Sequence, residues 1–235
     1  MRERRRTTTR PGSTERSSHG GADESGSGMA KCRPRPTLAT QIQRRLEGIY
    51  GLEAPSVEPF VRPSGDTREV LEVRKVRGVI ELRLHLPQAA LSEEASLSLD
   101  VFCQVAEGVS HFLYLAERAL RELPATQLEL ELQAEVDKYL LLSGSLASGV
   151  DTTPVAPHGR ARHVRERLFE DVRFLHPEGT ILGDRYRYAN QLAARFALRV
   201  ERAFSRGIEA RSLKRLLRAF FAAGQREKIE MALAA

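Results

Sequence analysis

The spacing of apolar residues changes once along this chain, close to Leu97, and that change limits the possible folds more than any other feature. Before it, REVLEVRKVRGVIELRLHLP sets Leu71 and Val73, then Ile80, Leu82, Leu84 and Leu86, in alternation with Glu72, Arg74, Glu81, Arg83 and His85. A period of two marks half-buried strands, and two strands joined near Arg77 and Gly78 fit it. His85 falls on the polar side of its strand, where a surface histidine is expected rather than a ligand. From Leu97 onward the apolar positions recur at helical spacing. One hairpin is too little sheet to form a main layer. The expected fold is therefore α+β, mostly helical: a small N-terminal helix plus β-hairpin unit followed by a helical hairpin and a C-terminal helical bundle.

The boundaries follow from caps and breakers. Leu38, Ile42, Leu46 and Ile49 share one helical face, with Gly51 placed as a C-terminal cap, and Pro55, Pro59 and Pro63 then break the chain into extended pieces. One helix is predicted from Leu97 to about Leu123, a break at Pro124, and a second helix from Thr126 to about Leu142. SGSLASGVDTTPVAPHG reads as a Gly/Ser/Pro-rich linker. Beyond it come a basic helix from about Arg160 to Leu175, a turn at HPEG, a long helix from about Asp184 to Arg206, and a final pair broken near Gly224. The domain division is 1–36, a disordered basic leader; 37–142, an α+β unit with a helical hairpin; 143–159, the linker; and 160–235, a basic helical region. In the first 28 residues the hydrophobic residues are one alanine and the initial methionine, too few to offset the entropy of ordering. Two hypotheses account for this leader: the biological start is Met29, or the leader is a basic tail that touches RNA, DNA or membranes non-specifically.

Charge is uneven. The net charge of +6 resolves into +5 over residues 1–36, −7 over 37–157 and +8 over 158–235, counted on the sequence. An acidic middle and a basic end can satisfy each other by packing together. Only five of the 37 basic residues are lysines, an arginine bias that also arises from GC-rich coding and carries no function by itself. No apolar run reaches membrane-span length and no secretory signal is present, so a soluble, cytoplasmic protein without a membrane partner is expected. Cys32 and Cys103 have no metal-type spacing. Sequence motifs for a nucleophile elbow, a phosphate loop, a dinucleotide fold and the HExxH zinc helix are absent, and Ser110, next to His111, diverges from it by about 100° on a helix.

Three groups of residues could still carry function. Glu107, His111, Tyr114 and Arg118 recur at i, i+4, i+7 and i+11. At about 100° per residue they fall opposite the apolar side made by Phe102, Val105, Val109 and Phe112, which predicts a solvated face. The next helix, TQLELELQAEVDKYLLL, has apolar residues on two sides and is predicted to be sandwiched, with Glu131, Glu135, Lys138 and the preceding Arg118 forming a buried polar network. Antiparallel packing about Pro124 would bring Glu135 level with His111. Glu107, His111 and Glu135 are then a candidate site for divalent iron, manganese or zinc. No other cofactor is implied. Finally Arg195, Arg199, Arg202 and Arg206 form a ladder able to follow a phosphate backbone or a partner. The favoured expectation is a non-enzymatic interaction or regulatory protein with a protein partner. A nucleic-acid-binding protein using the arginine ladder is the first alternative, and a metal-dependent enzyme with a Glu/His site in a helical bundle is the second.

Overall fold

A computed structural model describes residues 36–65, 68–77, 79–91, 98–144 and 157–234. The leader and most of the Gly/Ser/Pro-rich stretch lie outside these residues, as do Gly78 and Leu97. The elements run α1 (Leu38–Tyr50), β1 (Val61–Pro63), β2 (Val70–Val76), β3 (Val79–Leu86), α2 (Leu99–Leu120), α3 (Gln127–Ser143), α4 (Pro157–Phe169), α5 (Ile181–Ser205), α6 (Ala210–Ala222) and α7 (Gln225–Leu233). The fold is mostly helical α+β, as the change of period implies.

Helix α1 begins where the Thr37 hydroxyl accepts from the Thr40 N–H and ends at Gly51, whose φ of 71° is the left-handed cap conformation. β2 and β3 pair antiparallel, with Leu71 opposite Leu84 and Val73 opposite Leu82. Their apolar face is graded: Leu84 and Leu86 are buried, whereas Val73 and Ile80 near the tip are about half exposed. The hairpin thus docks by its base and projects its tip. A third strand was not legible. β1 pairs parallel to β3, Val61 opposite Leu84, at the edge of the sheet order β1-β3-β2. It is only three residues long and ends on Pro63, which an edge position tolerates.

The helical hairpin forms as the caps dictate. Ser98 caps α2, and α3 opens on a capping box in which the Thr126 hydroxyl accepts from the Glu129 N–H and the Glu129 carboxylate accepts from the Thr126 N–H. α3 packs against α1, α2, α4, α5 and α7. Its buried residues accordingly lie on every side, from Glu131 and Leu132 to Leu142. Helices from both sides of residues 145–156 share one core, with Ile42, Leu46, Phe112, Tyr139, Phe196 and Phe220 all inside it.

Several boundaries differ from expectation: α2 ends at Leu120 rather than near Leu123, α4 begins at Pro157 rather than near Arg160, and two further ones have a visible cause. α4 stops at Phe169 rather than near Leu175. Asn190 takes the Phe169 carbonyl through Nδ2 at 3.2 Å, and Val172 and Leu175 beyond it are exposed, so another turn would bury nothing. α5 begins at Ile181, ahead of Asp184, because the Thr180 hydroxyl accepts from the Gly183 N–H at 3.0 Å. Among the described residues no helix is long and apolar enough to cross a membrane.

Candidate metal centre

The polar stripe of α2 is not solvated. Arg118 is buried, Glu107 keeps 20% of its side-chain exposure, and His111 is half-buried. The wheel located the apolar face correctly, but α2 is covered on both sides: β3 and α1 pack on it as well as α3. Gly108 makes part of this close approach possible, since a Cβ there would lie 2.5 Å from Leu84 Cδ1 and 3.4 Å from Glu69 Oε2.

Between α2, α3, the first turns of α5 and the segment before β2, charged groups gather in a half-closed chamber. Glu107, His111 and Glu131 each offer one ligand atom, and these atoms lie within 4.8 Å of one another. Glu135, the sequence-based third member, is not in that group. It accepts instead from Lys138 Nζ at 2.8 Å, and the same ammonium donates to Glu107 Oε2 at 3.1 Å. The reason is helical phase. Glu131 precedes Glu135 by one turn on α3, and the hairpin register sets His111 beside the Leu130 and Glu131 turn.

The expected network of Glu131, Glu135, Lys138 and Arg118 therefore separates into three. Glu135, Lys138 and Glu107 form one group. Glu131 faces Arg185 of α5, with Oε1 3.8 Å from Nη2. Arg118 belongs elsewhere, donating to the Pro124 carbonyl at 2.8 Å and to Glu129 Oε1 at 3.4 Å. The Glu131–Arg185 pair is also where the acidic middle of the chain meets its basic end.

The electrostatics show a chamber crowded with negative charge. Burial pushes Glu69 up to about 8, and the charges of Glu107 and Glu131 add to the effect. Burial, with Glu107 nearby, likewise raises Glu131 to about 7. For Glu107 burial acts upward, but the Lys138 ammonium outweighs it and holds the carboxyl below its ordinary range. Burial lowers His111, so its imidazole is neutral, the form that ligates metals. Three buried polar atoms here have no hydrogen-bond partner: Glu69 Oε2, His111 Nε2 and Arg185 Nε. The Leu130 backbone and Glu107 act upward on His111 without reversing the effect of burial.

Glu69 was missed in the sequence because it precedes a strand and joins the chamber only through tertiary packing. Its N–H is held by Gln104 Oε1 at 3.1 Å. Arg185 was hidden in the basic bias. A second buried network centres on Asp137 of the sandwiched helix. Asp137 accepts from Tyr50, from Ser110 Oγ at 2.6 Å and from Gln133 Nε2 at 2.9 Å. Beside it the fully buried Lys228 donates to Gln133 Oε1 at 2.5 Å and the Phe220 carbonyl at 2.6 Å. These groups satisfy one another and act as core structure.

The arginine ladder lies along α5, but its rungs differ. Arg195, Arg202 and Arg206 are exposed, whereas Arg199 donates to the Met231 carbonyl at 3.0 Å and ties α5 to the end of α7. A separate cavity of about 480 Å³ opens among Tyr50, Glu53, Arg118, Arg121, Arg218 and Phe221. None of its residues belongs to the Glu107, His111 and Glu131 group, and Arg118 and Arg121 are already engaged, the latter by Glu117. The chain matches no family model, and comparisons with curated proteins and with solved structures give no match.

Proposed function

We propose that this chain is a metal-dependent enzyme whose single divalent transition-metal ion is held by Glu107 and His111 of α2 and Glu131 of α3. The observation that carries the reading is His111, whose Nε2 is buried without a hydrogen-bond partner while one of its ring nitrogens lies within 4.8 Å of a carboxylate oxygen of both Glu107 and Glu131. A buried polar atom without a partner costs about 1–3 kcal/mol, and a cation removes that cost together with the repulsion among the carboxylates. One imidazole nitrogen and two carboxylate oxygens suit zinc, manganese or ferrous iron. Three protein ligands leave coordination positions open, the pattern of catalytic rather than structural sites.

Such an ion would supply Lewis-acid chemistry: activation of a bound water or polarisation of an oxygen of the substrate. The chain's own residues support it. Lys138 donates to one oxygen of Glu107 and leaves the other for the ion. Glu107 and Arg185 each keep about a fifth of their side-chain exposure, so the group is not sealed from solvent.

The test is elemental analysis of protein stripped with a chelator and then dialysed against zinc, manganese or ferrous iron. Wild type should retain about one equivalent of one of these. His111→Ala and Glu131→Gln should weaken retention by more than about 100-fold, because loss of even an outer-shell partner costs 10–100-fold, while Glu135→Gln should retain the ion. Wild-type protein that stays metal-free after all three exposures would end this reading.

A further inference from the structure

The chamber contains a donor as well as acceptors. Arg185 stands in the first turns of α5, and its Nε is buried without any acceptor. Its Nη2 reaches Glu131 Oε1 only at 3.8 Å, too far for a hydrogen bond. Nε–H and Nη2–H form the side-on edge of the guanidinium, the fork that grips two oxygens of one oxyanion. In Arg185 that edge is unfilled on one prong and loosely met on the other. The guanidinium is also positioned, its carbon 5.8 Å from the centre of the Tyr186 ring.

We propose that Arg185 is the substrate-binding residue of this site and that the substrate is a small carboxylate, gripped by the Arg185 fork beside Glu131 and close enough to the ion to displace its bound water. The inference rests on the metal reading above. Geometry gives the contact and charge gives the class. Glu69, Glu107, Glu131 and Glu135 place four carboxyl groups in the chamber, against Lys138, Arg185 and a divalent ion. A monocarboxylate adds one further negative charge to this space, whereas a phosphate dianion adds two against the same wall of glutamates, at separations where like charges raise one another's cost.

Cobalt(II) provides the readout, because its visible absorption changes when a ligand enters its coordination sphere or displaces bound water. Cobalt-loaded wild type, Arg185→Met and Arg185→Lys are each titrated with acetate and, in a separate arm, with inorganic phosphate. Cobalt stoichiometry is measured first. Wild type should bind one cobalt and change its spectrum with acetate, saturably, at concentrations at least tenfold below those required of phosphate. Arg185→Met should keep its cobalt and lose at least tenfold in acetate affinity. Arg185→Lys should not recover it, since a single ammonium cannot form the fork. If wild type binds cobalt but does not respond to acetate, or Arg185→Met responds equally well, the role of Arg185 is overturned while the metal site stands. A preference for phosphate would overturn the carboxylate class. Absence of cobalt from wild type would overturn the metal site and this inference with it. Arg185 is partly exposed, and a thermal melt of each variant separates lost folding from lost binding.

Discussion

Lys228 shows what burial does to a single residue. It is fully buried, with the rings of Tyr114 and Phe220 4.9 and 4.4 Å from its ammonium nitrogen, and burial pushes it down to about 7. Unfolded, it titrates near 10.4. Between about pH 7 and 10 the unfolded chain thus holds a proton that the folded chain lacks, so stability rises with pH at up to about 1.4 kcal/mol per unit; below pH 7 both states are protonated and the slope ends. Asp137 acts in the opposite sense at lower pH. Burial lifts it to about 6, so the folded chain binds the extra proton between about pH 4 and 6 and stability falls as pH rises through that window. Urea denaturation at pH 7 and pH 9 tests the Lys228 half. Wild type should gain about 2 kcal/mol more than Lys228→Met across that interval, and equal gains would refute it. The partners were not legible in the sequence: Asp137 lies on the helix expected to be sandwiched, but nothing local pairs it with Tyr50, Ser110 or Lys228. The neighbours of Asp137 and Lys228 come from positions up to 114 residues away, and no local period encodes that.

At the scale of elements the sequence was far more informative, because caps and periods are local. The Thr126 capping box, the Gly51 cap and the strand alternation were all readable; β1 was not, since three residues ending in proline carry no period. Packing between elements leaves traces only where side-chain size is constrained. Gly108 lets α2 lie against β3, and a Cβ there meets the buried Leu84. Gly48, on the exposed side of α1, has nothing within 4 Å of such an atom. The two glycines should therefore respond with opposite sign. Gly108→Val should cost about 1–3 kcal/mol through overpacking, and Gly48→Ala should stabilise by roughly 0.5–1 kcal/mol through helix propensity. Thermal or urea unfolding measures both, and a neutral Gly108→Val would mean that α2 and β3 are not in close contact. Thr126→Ala should lose about 1 kcal/mol with the cap.

For the whole molecule, the change of period gave the class of fold, and the two-sided apolar pattern of α3 gave its central position. The site was half legible. Glu107 and His111 are separated by one turn and could be picked out as a pair, but the third ligand depended on the register of a hairpin. A shift of one turn on α3 exchanges Glu135 for Glu131. Whether the pair faced water depended on how many elements cover α2, and a single helix cannot report that. Burial then turns four carboxyl groups, a neutral imidazole and a guanidinium from surface charges into a chamber with three unpartnered polar atoms. The most direct test of that account is an anomalous difference map from crystals of the protein soaked in cobalt(II). The account predicts one peak between α2 and α3, about 2.0–2.2 Å from His111 Nε2 and from carboxylate oxygens of Glu107 and Glu131. A map with no peak there, or a peak held by Glu135 with His111 turned away, would contradict it.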